Sequence, residues 1–380
     1  MPRPRILCIS LSNICSDARV LRQISVLAEF GDVTTIGYGP QPQLAAHHIR
    51  VPDELKTLPQ TPMGVLNLAL KRMRASELAA PAIRFALTAL AGERFDLVVA
   101  NEARMLALAD RVARGAPIWA DMHEWAPEER THILSWRLLV APLMTYLCRT
   151  YLPKAFATTT VCGSIADLYQ ERFGVDAAVM RNSSPLVPLQ PSPMVPDSIR
   201  LVHSGGAIHG RNLEATIDVV KALDERFTLD FYLMPGGDGG AYLNSLVERA
   251  AGCARIRFNA PVAPHELPAT LNQYDIGVFW IPPTHTNARL TLPNKFFDYV
   301  QARLAIAVGP TIEMQRLVNE YDLGVVSEDY SVEACLASLK NLTPNAIAGF
   351  KEQSDRAAHT LNFEADANVA RDIIRRALAR

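Results

Sequence analysis

Short β-rich apolar runs alternate with longer stretches of helical spacing along nearly the whole chain, and this alternation restricts the fold more than any other feature. In the first half, strands are predicted at 5–10 (RILCIS), 33–39 (VTTIGYG), 95–102 (FDLVVANE), 118–123 (IWADMH), 156–163 (FATTTVCG) and 177–183 (AAVMRNS). Their apolar residues run on continuously instead of occupying every second position. Both faces of such strands must be covered, as in a parallel sheet. Between them lie amphipathic helices. From Asp17 to Phe30, Val20, Ile24, Leu27 and Ala28 recur at helical spacing, and Gly31 stops the helix. Strand, helix, strand repeated in this way predicts a doubly wound α/β domain.

The pattern breaks once. Segment 183–198 (SSPLVPLQPSPMVPDS) carries five prolines, which exclude a central strand or a propagating helix and give it the character of a linker. Strands are then predicted again at 200–205, 229–237, 254–262, 274–282, 304–310 and 323–329, and the last fifty residues read as helical. At 380 residues the chain exceeds the size at which one core keeps growing. Two α/β domains are therefore expected, an N-terminal one over 1–184 and a C-terminal one over 199–350, joined by a linker at 185–198 and followed by helices over 351–380.

Formal net charge is −1, so no general attraction to nucleic acid operates, and no nucleic-acid partner is expected. The six cysteines lie far apart without a CxxC pair, which argues against a metal ribbon or a redox motif and fits reduced thiols in a cytosolic protein. The N-terminal MPRPRILCIS has no long apolar region or cleavage site of a signal peptide, and the apolar stretch 138–148 is too short to span a bilayer. A cytoplasmic protein is expected, peripheral at most to the inner face of a membrane. Segment 64–76 sets Leu66, Leu68, Leu70 and Met73 beside Lys71, Arg72 and Arg74, a basic amphipathic helix suited to anionic lipid. Packing on its own sheet with a solvated basic face explains the same pattern, and the apolar stretch around 134–150 poses the same choice.

Ligands of open α/β sheets sit beyond the carboxyl ends of the strands, which selects the residues to weigh. After the first strand, Ser16 or Asp17 caps a helix that carries Arg19 in its first turn; an anion or hydroxyl site and simple helix capping are equal readings there. IWADMHEW ends on Asp121, His123 and Glu124, three ionisable groups where the sheet opens, and a histidine there suits hydrogen bonding near neutral pH. In HSGGAIHGRN, Gly205 and Gly206 allow a backbone to approach a phosphate and Arg211 can bind it, although neither a Walker nor a GxGxxG pattern is present. The second glycine-rich turn, 234–240 (MPGGDGG), identifies no ligand. The strongest constellation is 286–306 (TNARLTLPNKFFDYVQARLAI). Pro293 starts a helix, so Asn294 and Lys295 fall in its first turn with Asp298 beside them. A lysine and free N–H groups suit a diphosphate, and a carboxylate one turn on suits a ribose diol.

These stretches, with SDARVLRQISVLAEFG, FDLVVANE, ADMHEW, TTTVCGSIADLYQERFG, VMRNSSP, HSGGAIHGRNLEATI and APVAPHELPATLNQYDIGVFWIP in order, resemble the family 4 glycosyltransferases and their GT-B relatives. The resemblance covers most of the chain. It implies two Rossmann-like domains facing a cleft, with the donor held mainly by the C-terminal domain, the acceptor mainly by the N-terminal one, and a helical tail crossing back to the first domain. By the match of motifs, Asp298 looks like the ribose carboxylate, Lys295 and Arg211 like diphosphate ligands, and His123 like the histidine beside the transferred sugar. Three positions depart from the family pattern. Leu290 stands where a first glutamate is usual, Gly206 or Ala207 where a further basic residue is usual, and Arg303 where a glycine is common.

The expected activity is transfer of a sugar from a nucleotide-sugar donor, most commonly a UDP-sugar, to an acceptor hydroxyl, retaining and without a metal or other cofactor. His123 and Asp17 are the catalytic candidates, Glu124 a second-choice acid/base, and Gly205, Gly206, Arg211, Asn294, Lys295 and Asp298 the donor-binding set. An acceptor saccharide, a lipid-linked saccharide, a peptide and a small molecule all stay open as the acceptor. Two other functions stay open as well, a nucleotide-sugar epimerase or hydrolase on the same scaffold and a catalytically silent nucleotide-binding partner.

Overall fold

The computed structural model describes residues 3–379. Thirteen strands are present among them: β1 Arg5–Asn13, β2 Asp32–Tyr38, β3 His47–Arg50, β4 Leu97–Asn101, β5 Ile118–Met122, β6 Ala157–Thr160, β7 Ala177–Val179, β8 Ile199–Gly206, β9 Phe227–Met234, β10 Ile256–Asn259, β11 Ile276–Phe279, β12 Ala305–Val308 and β13 Gly324–Val326. They form a seven-stranded sheet in the order β3-β2-β1-β4-β5-β6-β7 and a six-stranded sheet in the order β10-β9-β8-β11-β12-β13. Every pairing within the two sheets is parallel. Both are doubly wound, and chain direction across the sheet reverses at β1/β4 and at β8/β11, where such folds place their ligands.

The chain divides into two compact units. One runs to Arg181 and takes in His285–Asn287 and the segment from Asp366; the other holds Asn182–Thr284 and Ala288–Ala365. In the first, Ile6–Ile9 of β1 and Leu97–Ala100 of β4 are wholly buried, as continuous apolar runs covered on both faces require. In the second, Phe227, Leu229 and Phe231 of β9 pack with Leu213, Ile217 and Val220 of the helix Leu213–Ala222 in one core. The C-terminal helix Phe363–Leu378 presents Ala367, Ala370, Ile373, Ile374 and Ala377 on its buried face. Helix-period spacing produces that stripe. No helix among the described residues is long and apolar enough to cross a membrane.

Each predicted strand is present, generally a few residues shorter than its apolar run. β3 was not predicted: its HHIR sequence lacks an apolar run because it is an edge strand, neither face of which is deeply buried. The single basic helix expected over 64–76 is two short helices, Pro62–Ala69 and Met73–Ser76. Lys71 between them adopts φ 55, a left-handed conformation that ends the first helix, and the Arg72 N–H donates back to the Asn67 carbonyl at 2.8 Å.

Arg303 also lies in the left-handed region, at φ 60, which explains why glycine suits this position. Here the strain is held by contacts that glycine lacks. The buried guanidinium donates to Asp355 at 2.6 Å, to the Gln301 carbonyl at 2.6 Å and to the Val187 carbonyl at 2.8 Å.

Candidate functional site

In the second unit, the candidate side chains gather at the β8/β11 reversal. His203, within β8, is buried, and its Nδ1–H donates to the Val278 carbonyl of neighbouring β11 at 2.9 Å. A carbonyl only accepts, so Nδ1 carries the hydrogen and Nε2 is left as an acceptor. Lys295 Nζ donates to that Nε2 at 3.0 Å and lies 4.2 Å from the centroid of the Phe279 ring. Lys295 is buried, and among the described residues no carboxylate approaches its ammonium within 4.0 Å. Burial and the neighbouring Arg211 hold its pKa well below the ordinary lysine value, with Asp298 opposing. Burial and Lys295 likewise keep His203 well below its ordinary value, so it is neutral.

Gly205 makes this arrangement possible. Its φ is +125, and a Cβ there would come within 3.0 Å of Lys295 Nζ. Two residues after the isolated Gly210, Asn212 takes φ 59 and its amide donates to the Tyr330 carbonyl at 3.0 Å, fixing the loop that carries Arg211. Arg211 is half-buried and has no ion-pair partner among the described residues; burial lowers its pKa. Lys295 and Arg211 are thus a buried and a half-buried basic group with no ion-pair partner within 4.0 Å among the described residues, an arrangement that an anion can compensate. Pro293 caps the helix Asn294–Gln301, so exposed Asn294 and its neighbours present N–H groups at a helix start. Asp298, one turn into the same helix, accepts from Ser184 Oγ. Gly206 follows Gly205 at the end of β8.

In the first unit, the β1/β4 reversal carries a different chemistry. Asp121 of β5 is wholly buried and accepts from Arg19 Nε at 2.9 Å, Arg19 Nη2 at 2.6 Å, Gln23 at 3.1 Å and Thr159 at 2.6 Å. Burial alone would raise its pKa, but Arg19 and His123 hold it far below the carboxylate range. Arg19 thus completes a buried ion pair, and Asp17 caps its helix, with one oxygen accepting from the Val20 N–H at 3.2 Å and the other from Ser12 at 2.9 Å.

His123 Nε2 donates to Asn101 Oδ1 at 3.1 Å and lies 3.5 Å from Asp121. Asn101 is itself oriented by donating to the Ile9 carbonyl at 3.2 Å and to Gln23 at 2.9 Å. The ring therefore turns Nδ1 towards Glu102, 4.0 Å away. Burial favours the neutral imidazole, yet the Asp121 carboxylate outweighs it and raises the His123 pKa. Glu102 follows β4 with φ 69 and pairs with Arg104, which also faces Glu129 at 3.7 Å. With Glu124 and Arg130 these groups line a pocket of about 160 Å³. Desolvation in its wall, together with Glu129 and Glu102, pushes the Glu124 carboxyl up to about 7.

The predicted residues thus fall into two groups. Gly205, Arg211, Lys295 and Asp298 belong to one interacting set in the second unit, and His123 and Glu124 line one pocket in the first. Asp17 lies outside that pocket's lining. Sequence reasoning missed His203, Asn101, Glu102 and Arg104. Asn101 and Glu102 end the run FDLVVANE, so the same strand-end rule that selected His123 could have found them. His203 sits inside a strand run, and nothing local marks it as a partner for a lysine 92 residues away.

No family model matches the sequence, and no curated protein is similar to it at the sequence level. Solved structures share its fold. The sucrose-phosphate synthase of Thermosynechococcus elongatus superimposes with a TM-score of 0.70 at 13% identity, covering 99% of this chain and 100% of that one. WaaG, a glycosyltransferase involved in lipopolysaccharide biosynthesis, gives 0.65 at 12% identity, covering 97% of this chain and 99% of that one. HepE of Anabaena, solved in complex with UDP and glucose, gives 0.67 at 12%, covering 98% of this chain and 99% of that one. At these identities the likeness establishes the fold: two Rossmann-like α/β domains of the GT-B type.

Proposed function

We propose that this protein is a glycosyltransferase that moves a sugar from a nucleotide-sugar donor, a UDP-sugar foremost, to an acceptor hydroxyl. The observation that carries the proposal is the buried Lys295, set against Gly205 with Arg211 nearby and no carboxylate paired to it. Such a pair of cations is matched by the diphosphate of a nucleotide. The likeness to glycosyltransferases, one of them holding UDP and glucose, supports the same donor class.

In this proposal Lys295, Arg211 and the N–H groups at the start of Asn294–Gln301 stabilise the negative charge that develops on the departing nucleoside diphosphate. Their positive charge does the work a divalent metal does elsewhere, so no metal is required, and transfer proceeds with retention at the anomeric carbon. Gly205 and Gly206 let the phosphates approach the backbone, and Asp298 accepts from the ribose diol. The first unit takes the acceptor. His123, held through Nε2 by Asn101, offers Nδ1 to a sugar hydroxyl, and Glu124, with its pKa near 7, is the second acid/base. Asp17 is assigned a structural part, because both its oxygens are engaged at the helix start. The acceptor is a saccharide, a lipid-linked saccharide, a peptide or a small molecule, and a lipid-linked one would draw the protein to a membrane surface.

A thermal-shift screen against UDP, GDP, ADP, CMP and dTDP tests the donor assignment. A ligand bound only by the folded chain stabilises it by about 2.7 kcal/mol at a hundredfold excess over Kd. A selective rise lost in Asp298→Ala and Lys295→Ala is expected. No rise with any nucleotide, in protein shown to be folded, overturns the donor assignment. With donor alone, appearance of an epimerised sugar would instead favour epimerase chemistry.

A further inference from the structure

Exposed large apolar side chains are unevenly spread over this molecule. Fourteen are present among the described residues, and seven of them lie on two short segments of the first unit: Met63, Val65, Leu66 and Leu70 on one, Ile133, Leu134 and Leu138 on the other. Met63 is 64% exposed and Leu134 58%. Single exposed apolar residues need no explanation, whereas a concentration of this kind does.

The two segments adjoin. The helix Pro62–Ala69 packs against residues 136–140, and Lys71 Nζ donates to the Leu138 carbonyl at 2.5 Å. Buried Gly64 and Leu68 turn one side of the helix inward, leaving its other apolar residues outward. Trp136 and Val140 do the same for the second segment, leaving Leu138 outward. The protein spends its inward face on its own core, yet the outward face is still apolar.

The charge on these segments has one sign. Residues 61–76 and 131–142 contain Lys71, Arg72, Arg74 and Arg137, all exposed, and no aspartate or glutamate. In a chain of net charge −1 this local excess of positive charge is set apart from the rest. The left-handed turn at Lys71 ends the apolar helix, and the cations Lys71, Arg72 and Arg74 follow it directly in sequence. Apolar residues able to enter an acyl boundary, bordered by cations able to meet phosphate headgroups, are complementary to an anionic bilayer.

We propose that this surface, formed by residues 61–76 and 131–142, docks the protein reversibly on anionic membrane lipid. Leu66, Leu70, Leu134 and Leu138 enter the interface, while Lys71, Arg72, Arg74 and Arg137 contact the headgroups. The proposal does not depend on the transfer reaction, because none of these residues belongs to the sites described above.

Co-sedimentation of the full chain with vesicles tests it. Binding is expected to vesicles of phosphatidylcholine containing about one quarter phosphatidylglycerol, and to be weak on phosphatidylcholine alone. Exchanging Lys71, Arg72 and Arg74 for alanine should lower partitioning on the order of a hundredfold, at about fivefold per cation. Leu66→Glu with Leu134→Glu should abolish it while leaving the thermal midpoint and the nucleotide response unchanged, since both side chains face solvent. Raised salt should weaken binding as exposed charges are screened. Failure to bind anionic vesicles at low salt overturns the proposal, as does equal binding by the leucine variant. Concentration-dependent self-association without lipid, removed by the same leucine changes, would assign the face to a second copy of the chain and overturn it too.

Discussion

Lys295 Nζ donates to His203 Nε2 at 3.0 Å while no carboxylate lies within 4.0 Å of it among the described residues. A neutral imidazole can position an ammonium but cannot neutralise it. His203 in turn is fixed through the Val278 carbonyl, so β11 sets where the lysine charge sits. Under the proposed function, the lysine is held for a partner that brings the negative charge.

Replacing this lysine should separate stability from binding. Lys295→Met removes a buried amine that no carboxylate within 4.0 Å compensates among the described residues, and methionine fills similar space against Phe279. The variant is expected to be more stable than the parent by about 1 kcal/mol, raising its melting temperature by about 2–4 °C, while losing its response to nucleotide. Thermal unfolding with and without UDP measures both. A large fall in stability would mean that Lys295 is a structural residue and not a ligand group.

Nucleotide binding should also take up a proton. Burial and Arg211 lower the Lys295 pKa; a bound diphosphate favours the charged form and raises it again. Between the two values, binding charges the lysine, and affinity must fall as pH rises through that window. Titration calorimetry with UDP in buffers of different ionisation enthalpy reads the proton directly. Identical heats in all buffers near neutral pH would show that the lysine is already charged before binding.

The first unit offers a test of the buried pair. Arg19→Ala leaves the wholly buried Asp121 carboxylate without its guanidinium, so a loss of about 3–5 kcal/mol is expected in chemical denaturation. Arg19→Ala combined with Asp121→Asn should recover part of it, because the uncompensated charge is gone. Equal losses in the single and double variants would show that packing, not charge, sets the cost.

Much of this fold was legible because both sheets are parallel and covered on both faces. The runs LCIS, LVVA and AIAV read as buried strands, and Gly31 marked the end of the first helix, with Ser16 or Asp17 at its start. Legibility failed where burial did not write the sequence. β3 is a polar edge, and the break at Lys71 depends on one backbone angle in a stretch whose composition favours helix throughout. At the sites, strand-end position selected His123 and Glu124 and the helix start after Pro293 selected Lys295, but their governing partners come from afar in sequence. Asn101 reaches His123 across neighbouring strands, and His203 reaches Lys295 across 92 residues. Periodicity reports which face a residue occupies, and such pairings require the register between elements.

Glu124 gives the pH dependence a definite sign. Its carboxyl, ordinarily at 4.5, is pushed up to about 7 in the folded chain by desolvation and by Glu129 and Glu102. The folded chain therefore holds this proton more tightly than the unfolded chain between those values. Its contribution to stability is complete below the unfolded value, declines as pH rises and is lost above about 7, where the folded pocket carries three carboxylates. Glu124→Gln keeps the shape and removes the titration. It should match the parent near pH 4.5 and exceed it at pH 8.5 by about 1 kcal/mol, a figure reduced for the solvent that screens this exposed side chain. Melting temperatures of both proteins across that range would reveal curves that diverge only above neutrality. Parallel curves would place the Glu124 proton in solvent, outside the influence of Glu102 and Glu129, and would remove it from consideration as an acid at neutral pH.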